Sequence, residues 1–361
     1  MSVDQSSNVA RDVEAFDRFR ADVKAHVDAR LREWLDARAV DAQRLGADVG
    51  AMHDAVSGLA MRGGKRLRAV LLAAAYVGCG GARSSDPRDV VMGGVSLELL
   101  QTYLLIHDDW MDDDEVRRGG PSVHAMLRER FGSAKAGDAG AVLAGDYAAA
   151  LAHEALLELQ GPVRPEHLLA AARELARVEV EVTRGQLLDL RATADSPAAV
   201  EAVHALKTAS YTARGPLLMG AALAGAPAPR LEELARFATP LGIAFQLRDD
   251  LLGTFGNATA TGKSVGGDLR KGKRTALVAE VEADPDARRL LGRVLGVEDA
   301  SDDEVNALVA RIEASGARAR VEARLAALAR QASAALAEMQ VTEEARSLLR
   351  GAVTALTNRE R

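Results

Sequence analysis

LLIHDDWMDDDEVRRGG, residues 104–120, decides how this chain is read. An apolar, helix-patterned run leads straight into Asp108 and Asp109, a further acid follows at Asp112, and Arg117 and Arg118 close the stretch. A second stretch, IAFQLRDDLLGTFGN at 243–257, repeats the arrangement with Asp249 and Asp250. Acids that end apolar helices are costly to bury without partners. Spacings of four and three residues put Asp112 on one helical face with Asp108 and Asp109, their Cβ atoms within about 6 Å. At a helix C-terminus these acids repel one another and the macrodipole, by about a few tenths of a kcal/mol each. A bound divalent cation reverses the sign of that term. Mg²⁺ takes oxygen ligands, commonly a few carboxylates plus substrate phosphates. For one acidic stretch alone, a frayed and solvated helix end is the plainer reading. Two such stretches on apolar helices, with arginines beside the first, favour a diphosphate held by metals and guanidinium forks. An EF-hand does not fit, because its glycine and alternating acids are absent.

Further cations extend the pattern. Gly63-Gly64-Lys65-Arg66-Leu67-Arg68 opens a helix with two glycines and sets Lys65 and Arg68 on one face, a good anion site at the positive helix end. Lys263, Lys271 and Lys273 lie in a glycine-rich stretch after the second acid pair, read as a phosphate lid. It is not a Walker loop, since no G-x-x-x-x-G-K-[ST] follows a strand.

The periodicity is helical almost throughout. Residues 1–8 read as a loose tail. Helices are expected over about 10–45, 50–60 and 65–78, then from a cap at Ser85-Asp86-Pro87 to the first acids. Others are expected near 121–132, 139–159, 165–192, 198–224 (bent at Gly215-Pro216) and 230–253. Gly253 to Lys273 reads as a loop of functional length, and three or four helices follow to about 357. With no repeat and no linker, residues 9–361 read as one large all-α bundle.

Composition agrees. Apolar residues make up 48% of 361, enough for a substantial core, and alanine and leucine dominate. A net charge of −6 with interspersed signs offers no footprint for nucleic acid. The single cysteine, Cys79, rules out an internal disulfide and suits a reducing, cytoplasmic setting. The longest apolar run, residues 69–82, is too short and glycine-rich to span a bilayer, and the polar N-terminus lacks a secretory pattern.

Six landmarks in order resemble the trans-isoprenyl diphosphate synthase (polyprenyl synthetase) family: GGKRLR (63–68), ELLQTYLLIHDDWMDDDEVRRGGPSVH (98–124), GQLLDL (185–190), KTASYT (207–212), FQLRDD (245–250) and TGKSVGGDLRKGK (261–273). The resemblance implies an all-α bundle of isoprenoid synthase type around a central cavity, usually a homodimer. It implies that Asp108, Asp109 and Asp112, with Asp249 and Asp250, hold three Mg²⁺ ions against an allylic diphosphate (dimethylallyl, geranyl or farnesyl). Arg117, Lys207, Lys263 and Gln246 match residues that contact this diphosphate. Lys65, Arg68, Gln101 and Arg118 match the pocket for isopentenyl diphosphate, and Lys273 joins the substrate-binding lysines. Lys207, Thr208 and Tyr211 match positions flanking the allylic cation and the leaving group, although helix surface and core remain an alternative for Thr208 and Tyr211. One departure stands out: where the second motif usually ends in a third acid, this chain has Gly253, and Asn257 replaces another common acid.

Tyr103 lies five residues before Asp108, about 7.5 Å along the helix, and its neighbour Leu104 is not aromatic. By resemblance, one aromatic there without an insertion in the motif suits a geranylgeranyl (C20) product, with farnesyl (C15) the runner-up. A class I terpene cyclase is disfavoured by Asp249-Asp250 and the second anion pocket. A non-catalytic regulatory subunit is disfavoured by the intact first motif.

Overall fold

The computed structural model describes residues 3–80, 86–191, 196–256 and 266–357, and within them the regular structure is helical except for one two-stranded turn. It divides into two compact units: Phe16–Leu175 with Pro216–Pro227, and Met1–Ala15 with Ala176–Gly215 and Ala228–Arg361.

The first unit contains most of α1 (Val3–Leu45) and then α2 (Ala47–Met61), α3 (Leu67–Cys79), α4 (Val91–Met111), α5 (Val123–Phe131) and α6 (Ala134–Leu157). It also takes the start of α7 (Pro165–Leu190) and most of α9 (Gly215–Leu223). Its centre is α4, whose Leu97, Leu99, Leu100 and Ile106 are fully buried. α4 packs on α3 and α6. The approach to α6 is close because the inward face of α6 is made of Gly137, Gly140, Ala141, Ala144, Gly145 and Ala148. A Cβ on Gly145 would overlap the His107 ring, which lies 3.0 Å from the Val142 carbonyl through Nε2. Asp86 starts this region as expected: its side chain accepts from the Arg88 amide at 2.8 Å, Pro87 sits in the first turn, and a 3₁₀ turn (Pro87–Val90) leads into α4. Among the described residues, Pro87–Met111 alone has the length and hydropathy of a membrane span. It is the core helix of this unit, 67% buried over its most apolar window.

The second unit is organised by α10 (Ala228–Phe255), which contains Pro240. Around it lie α8 (Pro197–His204), a π-helical segment (Ala205–Arg214), α11 (Gly267–Arg270), α12 (Ala276–Val281), α13 (Pro285–Val294), α14 (Asp302–Ala314), α15 (Ala317–Glu338) and α16 (Glu343–Thr357). Leu247, Leu251, Leu269, Leu277, Val305 and Leu308 belong to its core. Ser301 and Glu304 form a reciprocal capping box at the start of α14.

The structure departs from the expected elements in four places. Helix begins at Val3, inside the stretch read as a tail. The expected helix over 198–224 is α8, a π segment and α9, so the change of winding begins ten residues before Gly215. The expected loop after Gly253 contains α11; residues 257–265, with Asn257 and Lys263, lie outside the described residues. Five helices follow Lys273 rather than three or four, because the short α12 and α13 fall below the length at which periodicity is legible.

Arg66 is the buried polar strut of the first unit. It adopts φ 51° at the N-cap of α3 and is 3% exposed. Its guanidinium donates to Glu98 Oε2 at 2.6 Å, to Asp28 Oδ1 at 2.7 Å and to the Ala60 carbonyl at 3.0 Å. Truncating one partner of such a pair strands the other charge, at a cost of about 3–5 kcal/mol. Arg66→Ala should therefore lower the urea midpoint sharply, and Arg66→Ala with Glu98→Leu should recover part of that loss. A single variant as stable as wild type would contradict the strut.

Candidate active site

Each acidic stretch is built within its own unit. In the first, α4 runs apolar and buried until Asp108, then ends with Asp112 as its C-cap. Asp109 is fully buried, and Asp108 and Asp112 are half-buried. Asp113 (φ 52°) turns the chain, and β1 (Val116–Arg117) and β2 (Gly120–Pro121) pair around Arg118-Gly119. Both central residues of that turn have positive φ, 51° and 74°, the requirement of a type I′ hairpin. The turn separates the two arginines. Arg117 reaches back to the acids: its Nε donates to Asp109 Oδ1 at 2.6 Å, its Nη2 also binds Asp109, and Asp114 accepts at 3.3 Å. Burial pushes the Asp109 carboxyl up to about 6 despite the pull of Arg117, and Asp108 and Asp114 add to the rise. Asp109 Oδ2 is buried with no hydrogen-bond partner.

Arg118 points the other way, donating to the Gly63 carbonyl at 3.2 Å. Partial desolvation lowers the pKa of its guanidinium, and crowding by Arg68, Arg66 and Arg117 adds to the effect, with Glu98 opposing. The sequence-predicted Lys65 (exposed), Arg68 (buried) and Arg118 therefore belong to one basic neighbourhood around Gly63-Gly64. Gln101 sits half-buried on α4, one turn after Glu98. Arg62, which the sequence reading passed over, pins the hairpin by donating to the Pro121 and Arg117 carbonyls. Gly120 leaves room for it, since a Cβ there would lie 2.9 Å from the Arg62 Cζ.

In the second unit the KTASYT stretch lies in the π segment, a winding that often marks functional positions. Two glycines let its neighbours close on it. A Cβ on Gly185 would lie 2.7 Å from the Lys207 Cα, and one on Gly242 2.6 Å from the Ala209 Cα. That gives GQLLDL a packing reason for its glycine, and its Asp189 accepts from Lys207 Nζ at 2.5 Å. Thr208 Oγ1 donates to Gln246 Oε1 at 2.8 Å, and Gln246 Nε2 donates to Asp250 Oδ1 at 2.8 Å. The Ala276 amide donates to Asp250 Oδ2 at 3.3 Å. His204 Nε2, unforeseen in the sequence, stands 3.5 Å from the same oxygen. Burial raises the Asp250 pKa, against His204, Gln246 and the Ala276 amide. Asp249, Tyr211 and Lys273 are half-buried.

Thr208, Gln246 and Asp250 thus form one hydrogen-bonded chain, while Lys207 is held apart on Asp189. Tyr103 is half-buried beside His107, ring centroids 5.0 Å apart at 77°, and packs on the cluster containing Val56, Ile106 and Ala144. Leu104 is half-buried. Among the described residues no three acids or histidines already converge as a metal cage. The donor set is nevertheless hard oxygen throughout, and the unpartnered Oδ2 of Asp109 is a buried acceptor that a cation would satisfy. The residues therefore fit Mg²⁺.

Comparison with known proteins identifies the family and the fold. Residues 50–312 match the polyprenyl synthetase family. The chain is 38% identical to a (2E,6E)-farnesyl diphosphate synthase of Mycobacterium bovis over 263 residues, covering 71% of this chain and 68% of the relative. It is 31% identical over 267 residues to a geranylgeranyl diphosphate synthase of Sulfolobus acidocaldarius, covering 72% and 76%. Its fold is similar to the crystal structure of a Corynebacterium glutamicum geranylgeranyl pyrophosphate synthase complexed with isoprenyl diphosphate and magnesium. The TM-score is 0.86 at 31% identity, over 96% of this chain and 99% of that one. The fold, the paired acidic stretches and these likenesses together establish that the chain belongs to the polyprenyl synthetase family, as a short-chain trans-prenyl diphosphate synthase.

Proposed function

We propose that this enzyme condenses isopentenyl diphosphate with an allylic diphosphate and releases geranylgeranyl diphosphate, with farnesyl diphosphate as the second reading. The observation that carries the C20 reading is Tyr103, one aromatic five residues before Asp108 and followed by Leu104. The geranylgeranyl synthases among the relatives support it, and the 38%-identical farnesyl synthase favours C15.

In this reading Asp108, Asp109, Asp112, Asp249 and Asp250 hold three Mg²⁺ ions. Mg²⁺ held by these carboxylates would supply Lewis-acid stabilisation of the charge that develops on the diphosphate leaving group. Arg117, Lys207 and Lys263 bind the allylic diphosphate, and Gln246 orients it. Lys65, Arg68, Gln101 and Arg118 bind isopentenyl diphosphate, and Lys273 assists. Thr208 and Tyr211 line the path of the allylic cation, their dipoles set by the π segment. The double bond of isopentenyl diphosphate attacks that cation, and the released diphosphate takes the proton. The two anion pockets differ in kind: carboxylates for metal in one, guanidinium and ammonium groups in the other.

A homodimer is part of the proposal. Its support is the spacing of exposed large apolar residues along one face of α7, Leu169, Val180 and Leu187 (61% exposed), and, on α6, the exposed Leu143 (60%). Stripes of this kind on otherwise charged surfaces mark association.

Three measurements test these assignments. Asp108→Asn should cut turnover by orders of magnitude in Mg²⁺ without changing the circular dichroism spectrum, and near-wild-type turnover would remove its metal role. Hydrocarbon formed from the allylic substrate alone would instead favour a cyclase. Tyr103→Ala should lengthen the product seen by chromatography, and an unchanged length would dismiss Tyr103 as the floor. Light scattering should give a dimer for wild type and a shift toward monomer for Leu143→Glu/Leu187→Glu; a monomeric wild type at micromolar concentration would contradict the dimer.

A further inference from the structure

The RRGG hairpin is too small to hold its own position. Its strands, Val116–Arg117 and Gly120–Pro121, have two residues each, and an isolated two-stranded hairpin is at best marginally stable in water. The half-buried Arg62, C-cap residue of α2, fixes it from outside. One guanidinium nitrogen, Nη1, donates to a carbonyl of each strand, to Pro121 at 2.5 Å and to Arg117 at 3.3 Å. The other, Nη2, lies 3.4 Å from Met126 Sδ on α5. The clasp is reciprocal, because Arg118 at the hairpin tip donates back to the carbonyl of Gly63, the residue after Arg62, at 3.2 Å. The two glycines of the hairpin serve different ends. Gly119 has φ 74°, and a Cβ there would meet nothing within 4 Å, so the turn alone demands it. Gly120 has no positive φ, and the three atoms nearest a Cβ built there, at 2.9, 3.0 and 3.2 Å, all belong to the Arg62 guanidinium.

We propose that Arg62 is a positioning residue for isopentenyl diphosphate: seated in the recess at Gly120, it holds the hairpin so that Arg118 stays beside Gly63-Gly64. This inference rests on the reading of Arg118 as a ligand of that substrate, and it adds a residue outside that reading. The clasp acts on one of the two neighbouring arginines. Arg117 has anchors of its own in Asp109 and Asp114, so its guanidinium keeps its place when Arg62 is lost. Arg118 rests on the Gly63 carbonyl, while Arg68, Arg66 and Arg117 repel it and Glu98 attracts it. Keeping a cation among cations takes a mechanical constraint, and Arg62 supplies it through the hairpin backbone.

Steady-state kinetics with isopentenyl and geranyl diphosphates in Mg²⁺ read the effect, with circular dichroism confirming the fold of each variant. Arg62→Ala should raise KM for isopentenyl diphosphate roughly 10-fold, the scale of one charge-assisted hydrogen bond. It should leave kcat and KM for geranyl diphosphate within about two-fold of wild type. Gly120→Ala should reproduce that split with every charge retained, because its Cβ displaces the Arg62 guanidinium; this separates positioning from the loss of a cation. In Arg62→Ala/Gly120→Ala the two effects should not multiply, since the new methyl enters vacated space. Equal rises in both KM values would overturn the proposal, as would an unaltered KM for isopentenyl diphosphate in either single variant or multiplied effects in the double. Arg118→Ala measured alongside separates the two levels. If it leaves KM for isopentenyl diphosphate unchanged, the assignment of Arg118 fails and the clasp with it; if it raises that KM while Arg62→Ala does not, only the role of Arg62 falls.

Discussion

Carboxylates buried at the ends of apolar helices constrain both halves of this molecule. Asp109 and Asp250 lie in separate units, and burial raises the pKa of each. Each is partly compensated: Asp109 by Arg117, Asp250 by Gln246, the Ala276 amide and His204. Partial compensation is unfavourable for stability, because a raised carboxyl pKa means that the native state gives up its proton reluctantly. For Asp109, the native state holds the extra proton between the ordinary carboxylate range and about 6, so its contribution to stability falls as pH rises through that window. The same deficit is what gives a cation something to bind. Full neutralisation by protein cations would stabilise the fold and leave no deficit for a bound cation to meet.

The basic side of the site divides its labour within six residues. In GGKRLR, Arg66 and Arg68 are both buried, yet Arg66 is committed to Glu98 and Asp28 while Arg68 belongs to the cluster around Arg118. Two adjacent arginines in RRGG are likewise separated by a turn with positive φ on both central residues. One faces carboxylates and the other faces fellow cations. A guanidinium whose neighbours are guanidiniums is poorly placed for folding and well placed for an anion.

Most of this architecture is legible before folding. Periodicity finds the long helices because 3.6-residue amphipathic patterning persists over many turns, as in α4, α7 and α10. The paired acids stand out because charge at the end of an apolar run has no packing rationale. What stays hidden has no signature in composition. His204 reads as one more polar residue on a short helix until its ring is seen beside Asp250. Along the π winding of 205–214, α7 and α10 come close at Gly185 and Gly242, and no local propensity announces it. Arg66 looks like a ligand for the same reason as Lys65, and only burial against Glu98 separates them.

Glycine marks the boundary between the two kinds of information. A side chain that performs chemistry can be recognised in isolation, whereas a missing one acquires meaning only from what fills its space. Gly145 admits an imidazole, Gly120 a guanidinium, Gly185 a backbone turn and Gly253 a carboxylate. In sequence these four positions are equivalent, and the last even reads as the loss of a function. In the fold each is a recess with a specific occupant, so the chemistry of such a position is the chemistry of the group that enters it.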